Sequence, residues 1–306
     1  MPCYSPLRGW RSKQRTENGK RGITFDRASA LVDFPVTLPC GKCIGCRLEY
    51  ARQWSIRLMH EARDHDHNSF ITLTYNDENL PQGESLVPKH MTDFLKRLRE
   101  RISYYGAGKI RYYYAGEYGE RTFRPHYHAC IFGYFPSDAR LYSETNGHRL
   151  YESEELDEIW GKGETKTGSL TTESAGYTAR YITKKITGPK ADEINPVTGL
   201  THYEVMTDDG EIIARVPEFA RMSRNLGQTF QTKYAQETFR DDSVIVNGTP
   251  SKPPKAYERA LSDSDLEELK KARRRRANAD SENNTLARLQ VRETVKRAQL
   301  TKLRRG

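Results

Sequence analysis

Arg124-Pro125-His126-Tyr127-His128-Ala129-Cys130-Ile131-Phe132 reads as a β-strand, and that reading decides the fold. Side chains alternate across a strand, so His126 and His128 share one face while Tyr127, Ala129 and Ile131 turn to the other. Two imidazoles so spaced can present neutral nitrogens to one divalent cation, and a third ligand from a neighbouring strand leaves coordination positions open for substrate. The same pair also suits an ordinary sheet surface. Its meaning depends on what the rest of the chain places beside it.

Working outward, Lys109 to Ala115 is predicted as the preceding strand, ending in a turn at Gly116-Glu117-Tyr118-Gly119. Antiparallel pairing of the two strands would bring Glu117 near His126 and His128, with Glu120 as the competing carboxylate. Either residue suits an exposed turn equally well. Phe70 to Tyr75, rich in β-branched and aromatic residues, is a further strand. Helical spacing of Leu48, Ala51, Trp54 or Ser55, Leu58 and Ala62 predicts a helix from Arg47, and Pro88 to Ile102 a second one. His60 lies on the first of these, and His65 and His67 follow it; all three read as structural or solvent-exposed.

Pro136 to Thr167 is polar and is expected to cover an edge of the sheet. Tyr203 to Met206 and Glu211 to Val216 flank a turn at Asp208-Asp209-Gly210 as short strands. Pro217 to Gly227, which carries Arg221, Ser223 and Arg224, is predicted as a basic loop or helix suited either to phosphate contact or to plain solvation. Ser174 opens a short helix that breaks at Gly188-Pro189. On it Tyr177, Tyr181 and Lys184 share one face, a pattern that fits a buried aromatic stripe as well as a reactive one.

Cys40, Cys43 and Cys46 stand at C-x-x-C-x-x-C spacing with glycines between them. Glycine lets the backbone curl so that thiolates can converge on one ion, and Cys3 would complete a structural zinc site. Free thiols in a tight turn are the alternative. With five cysteines in all, the chain does not resemble a secreted disulfide scaffold, and a reducing compartment fits better.

The formal net charge of +9 points to an anionic partner such as nucleic acid. Its distribution is uneven: residues 251–306 carry +8, residues 1–50 carry +5, and the centre is slightly acidic. No apolar run is long enough for a membrane span, and Met1 to Lys20 lacks the apolar centre of a secretory signal. The expected organisation is a basic arm over residues 1–30, a catalytic domain with the cysteine knuckle over 31–250, and a basic helical tail over 251–306.

These residues together resemble the HUH endonucleases that initiate rolling-circle replication, most closely the initiators of Microviridae phages of the gokushovirus type. The resemblance rests on Phe70 to Tyr75, on Arg124 to His128 and on Tyr177-Thr178-Ala179-Arg180-Tyr181-Ile182-Thr183-Lys184, with Pro39 to Arg47 and Met222-Ser223-Arg224 also similar. It implies an α+β fold with an antiparallel sheet of about five strands and helices packed against it. His126 and His128 are implied as metal ligands, with Glu117 the chosen third. Tyr177 and Tyr181 are implied as nucleophiles and Lys184 as the active-site lysine. Related initiators often carry lysine where this chain has Arg180, which keeps the charge.

The implied activity is nicking and joining of single-stranded origin DNA through a 5′-phosphotyrosine link, with Mg²⁺ or Mn²⁺ as cofactor. No ATP-binding loop is present in the sequence, so unwinding is expected from another protein such as a host helicase, and the host cell cytoplasm is the expected location. The competing reading is a non-catalytic single-stranded DNA-binding or packaging protein with a structural zinc site.

Overall fold

Period-two alternation of apolar side chains builds the centre of the chain, and a computed structural model describes the result for residues 3–105, 108–181, 185–186, 191–207 and 209–303. The chain divides at Tyr50 and Ser262 into two compact units. The first unit contains strands β1 (Leu7–Arg15), β2 (Arg21–Thr24) and β3 (Ala30–Leu38), paired as an antiparallel sheet in the order β2-β1-β3. Helix α1 (Ile44–Ala62) starts in this unit and runs into the second.

The second unit continues with β4 (Asn68–Thr74), α2 (Pro88–Tyr104), β5 (Arg111–Tyr118), β6 (Pro125–Phe132), β7 (Arg140–Thr145) and β8 (His148–Glu152). After these come α3 (Glu154–Trp160), β9 (Thr165–Ser169), α4 (Thr172–Tyr181), the β10/β11 hairpin (Glu204–Met206, Ile212–Ala214) and β12 (Phe219–Met222). Two short helices, α5 (Gln228–Lys233) and α6 (Ala235–Arg240), precede the β13/β14 hairpin (Val244–Val246, Thr249–Ser251). The chain then returns to the first unit with α7 (Asp263–Ala279) and α8 (Leu286–Leu303). Among the described residues no helix is long and apolar enough to cross a membrane.

Seven strands form the main sheet in the order β12-β5-β6-β4-β9-β8-β7, and every neighbouring pair is antiparallel. The fold is therefore α+β as expected, with β6 inside the sheet, but the sheet is wider than the expected five strands. The extra width comes from the segment read as polar edge cover, which supplies β7, β8 and β9. Strands β7 and β8 are exposed along most of their length, so they lack the apolar alternation that marks a half-buried strand. Residues 219–222, predicted as loop or helix, are instead the edge strand β12, which pairs with β5. Strand β5 itself runs three residues beyond its predicted end, to Tyr118.

Each face of the sheet has its own core. Ile71, Leu73, Tyr127, Ala129 and Ile131 pack with Met91, Phe94, Leu95 and Leu98 of α2 and with Leu156, Ile159 and Trp160 of α3. On the opposite face Tyr113, Cys130 and Phe132 pack with Leu58 of α1 and Ala175 of α4. The two histidines of β6 belong to this second face by the alternation of the strand.

Trp160 ties α3 to the sheet. It is fully buried, and its indole N–H donates to the Thr74 carbonyl at 2.7 Å. The chain then turns back over the same strand end at Gly163, whose φ is 145°. A Cβ there would stand 2.4 Å from the Thr74 carbonyl oxygen and 2.5 Å from the Asn76 nitrogen, so only glycine fits. Gly163→Ala is expected to destabilise the second unit by about 2 kcal/mol or more. Urea unfolding measures this, with Gly147→Ala at an open turn as the comparison; equal midpoints for the two variants would contradict the packing described here.

Candidate active site

Strand register assembles the site. In the β5/β6 pair Glu117 stands opposite His126 and Ala115 opposite His128, while in the β4/β6 pair Thr72 stands opposite His128. Small Ala115 leaves the imidazole of His128 room to lean towards Glu117. Glu117 Oε1 lies 2.7 Å from His126 Nε2 and 3.3 Å from His128 Nε2, and its carboxylate is almost wholly buried. The two rings stand edge to face, with centroids 5.0 Å apart.

The far side of each ring is held as well. His126 Nδ1 donates to the Arg124 carbonyl at 3.2 Å, and His128 Nδ1 lies 3.0 Å from the Thr72 hydroxyl. These outer bonds direct both Nε2 atoms at Glu117. His126 therefore faces an oxygen atom at each ring nitrogen, the Arg124 carbonyl and the Glu117 carboxylate.

The donor set fits a divalent cation. One atom from each of Glu117, His126 and His128 lies within 4.8 Å of the others, and the mix of two imidazoles and one carboxylate suits Mn²⁺ well and Mg²⁺ through its oxygen. The carboxylate that converges is Glu117. Glu120 lies in the exposed turn after β5 and is outside this cluster.

Helix α4 brings the tyrosine. Its buried Ala175, Thr178 and Ala179 are small enough to let the helix lie close on β5 and β6. The Ser55 hydroxyl of α1 donates to the Thr172 carbonyl at 2.9 Å, fixing the start of the helix. Tyr177 then packs edge-on against His128 with ring centroids 5.3 Å apart, and Phe70, stacked at 5.6 Å from the same imidazole, also meets the Tyr177 ring edge-on at 6.4 Å. Tyr181 contributes its backbone to the last turn of α4, but its side chain and all of Lys184 lie outside the described residues.

Local charge sets the protonation of these groups. Burial opposes ionisation of Glu117, yet hydrogen bonds from His126 and His128 outweigh it and hold the carboxyl at a pKa of about 2. Burial pushes the Tyr177 phenol above its ordinary value, and the negative charges of Glu117 and Glu120 push in the same direction, against Arg180. Phenolate at this position therefore needs added positive charge.

A second cluster lies in the first unit. The sulfurs of Cys3, Cys40, Cys43 and Cys46 converge within 4.8 Å, and all four are free of disulfides. Backbone N–H groups of Tyr4, Cys40 and Cys43 donate to Cys43, Cys3 and Cys40 sulfurs at 3.3, 3.3 and 3.2 Å. The 4.0 Å between the sulfurs of Cys43 and Cys3 is close to the edge of about 3.8 Å of a tetrahedron with Zn–S bonds of about 2.3 Å. Burial raises the Cys3 and Cys46 thiols, whereas at Cys43 the Tyr4 and Cys46 N–H groups overcome burial and bring the pKa to about 7.

Sequence reading missed Thr72 and Phe70. Both lie in the strand predicted over 70–75, but their roles depend on the β4/β6 register, which one strand read alone does not carry. His60 and His65 are structural: the first meets the Tyr257 hydroxyl at 2.9 Å and the second lies 3.3 Å from Glu61.

The chain is similar to known replication-associated proteins. The family model of Replication-associated protein ORF2/G2P matches residues 68–186, which span β4 to the segment after α4. The chain is 33% identical over 236 residues to replication-associated protein ORF2 of Spiroplasma virus 4, covering 74% of this chain and 68% of that protein. With replication-associated protein VP4 of Bdellovibrio phage phiMH2K it shares 35% identity over 266 residues, covering 84% of this chain and 76% of the phage protein. Replication-associated protein ORF4 of Chlamydia phage 1 is 32% identical over 158 residues, or 50% of this chain and 39% of its own length. No solved structure matches the chain significantly.

The depressed carboxyl of Glu117 makes a pH-dependent prediction for the metal-free protein. Because its folded-state pKa is about 2 against an ordinary 4.5, its stabilisation is complete above about pH 4.5 and is lost as pH falls towards 2. The stability advantage of wild type over Glu117→Gln should shrink on acidification through that window, by at most about 1.4 kcal/mol per pH unit. Urea unfolding with EDTA at pH 5, about pH 4 and about pH 3 measures it. A gap that stays constant would contradict the ion pairing.

Proposed function

The chain belongs to the family of replication-associated proteins of Microviridae-type phages, and from that premise we propose that it is a metal-dependent HUH endonuclease that nicks and rejoins single-stranded origin DNA. The observation that carries the reading is the seating of Tyr177 against His128, beside the convergent Glu117, His126 and His128. A phenol next to a three-ligand cation centre suits attack on phosphorus.

In this reading His126, His128 and Glu117 hold Mg²⁺ or Mn²⁺. Bound there, the ion supplies the positive charge that polarises and aligns the scissile phosphate. The Tyr177 oxygen, having given up its proton to water, forms a bond to phosphorus as the bond from phosphorus to the 3′ oxygen breaks. The strand ends carry a 5′-phosphotyrosine link on one side and, once the leaving oxygen takes a proton, a free 3′-hydroxyl on the other. Tyr181, one helical turn on, is proposed as the second nucleophile, with Lys184 stabilising the phenolate charge. Thr72 and the Arg124 carbonyl act as positioning groups for the imidazoles. Phe70 packs against both His128 and Tyr177.

The basic ends of the chain are proposed to hold DNA through its phosphates, and unwinding in the host cytoplasm is left to a separate helicase. Affinity should then fall steeply with salt. The four cysteines are proposed to bind structural Zn²⁺, their donor set and spacing being those of a closed thiolate site. Replacing it with Co²⁺ should give a thiolate charge-transfer absorption that Cys43→Ser weakens or removes. Protein that takes up no Co²⁺ or Zn²⁺ when refolded would overturn the zinc assignment.

The nuclease reading is tested by incubating the protein with end-labelled single-stranded origin DNA and Mn²⁺ and running a denaturing gel. A labelled band at protein mass is expected. EDTA, His126→Ala or the double change Tyr177→Phe with Tyr181→Phe should abolish it, with either single tyrosine change leaving partial attachment. Attachment undiminished in the double variant would sink the tyrosine mechanism, and DNA that is bound but never cut would favour the binding-protein alternative.

A further inference from the structure

The face of the sheet that carries the histidines continues past them onto β9, β8 and β7. In register, His128 stands opposite Thr72 and Thr72 opposite Lys166, so these three form one cross-strand row. Two strand spacings put the Lys166 backbone about 10 Å from that of His128. The next strands along the same face add Leu150, which stands opposite Gly168 and is partly exposed.

At the outer end of this row the β7/β8 pairing is irregular. The register shifts between Leu141 and Ser143, which leaves Tyr142 as the extra residue. Such an irregularity re-aims a side chain. Here it brings the Tyr142 ring under the Lys166 ammonium, 4.3 Å from the ring centroid, while the residue stays 56% exposed. The ammonium is held in place by Glu152 at 3.5 Å and Glu164 at 3.6 Å.

We propose that Tyr142 and Lys166 form a subsite that stacks and reads one unpaired base of single-stranded DNA beside the nuclease centre. This rests on the reading of the chain as a protein that acts on single-stranded DNA. The charge pattern selects the base over the backbone. Two carboxylates flank one ammonium, a setting that repels phosphate but offers hydrogen-bond acceptors and a donor to a base edge. The exposed tyrosine ring offers the stacking surface that every base can use. Continuity of the sheet face with His128 and Tyr177 puts the subsite one or two nucleotides from the bond to be cut.

The test separates base from backbone. Binding of the full-length protein to labelled oligothymidylate, and to an abasic strand of equal length, is followed by fluorescence anisotropy in EDTA, where no cutting interferes. Tyr142→Ala should weaken oligothymidylate binding about fivefold or more and leave the abasic strand within about twofold, since one stacked base contributes on this scale. Tyr142→Phe keeps the ring and should bind as wild type. Lys166→Met should also weaken oligothymidylate selectively. Tyr142→Ala binding oligothymidylate as tightly as wild type would overturn the subsite, as would equal loss on both strands. The two readings fail separately: wild type that never attaches covalently to DNA counts against the nuclease, whereas a base-specific loss at Tyr142 still supports the subsite.

Discussion

The pairing register of β5 with β6 is the constraint on which the site depends. Opposition of Glu117 to His126 and of Ala115 to His128 puts one carboxylate between two imidazoles. A slip of one residue would turn His126 and His128 away from Glu117, and it would also send Tyr127, Ala129 and Ile131 out of the core beneath α2 and α3. Core and chemistry thus fix the same register from opposite faces of one strand. Burial of the apolar face makes the slip costly, and the paired Glu117, His126 and His128 on the other face add to that cost.

Charge in the centre serves two groups with opposed needs. The imidazoles stabilise the Glu117 carboxylate well below its usual pKa, and that same negative charge, together with burial, makes the neighbouring Tyr177 phenol harder to ionise. A divalent cation held by these residues, as proposed, would resolve the conflict, because it would favour the ionised form of both. Small residues on α4 matter for the same reason: Ala175 and Ala179 let the helix approach β5 and β6 closely, and a bulkier side chain would lift Tyr177 away from His128.

Much of this was legible in the residues themselves. Alternation in Arg124 to Phe132 and spacing in Pro88 to Ile102 predicted β6 and α2, whose apolar faces are strongly marked. The strands β7, β8 and β9 were not legible, because an exposed extension buries little and β9 is built of threonine, lysine, glycine and serine. For the site, sequence order suggested that Glu117 would meet the histidines, with Glu120 as the competing carboxylate. Strand β5 runs through Tyr118, which puts Glu117 inside the ladder and Glu120 beyond it. Likewise the cysteine spacing allowed either free thiols or a metal knuckle. Only the return of Cys3 to the other three sulfurs, a contact between distant positions, distinguishes a four-sulfur cluster.

The central claim is that a tyrosine of α4 attacks phosphorus at the centre formed by Glu117, His126 and His128. Mass spectrometry of the trapped protein–DNA product tests it most directly, after nuclease trimming and trypsin digestion. Cleavage after Lys166, Arg180 and Lys184 separates the peptide bearing Tyr177 from the one bearing Tyr181. The account predicts a nucleotide phosphate linked to Tyr177 or Tyr181, formed with Mn²⁺ and absent from Glu117→Gln. A phosphate linked to serine, threonine or any other tyrosine would contradict it.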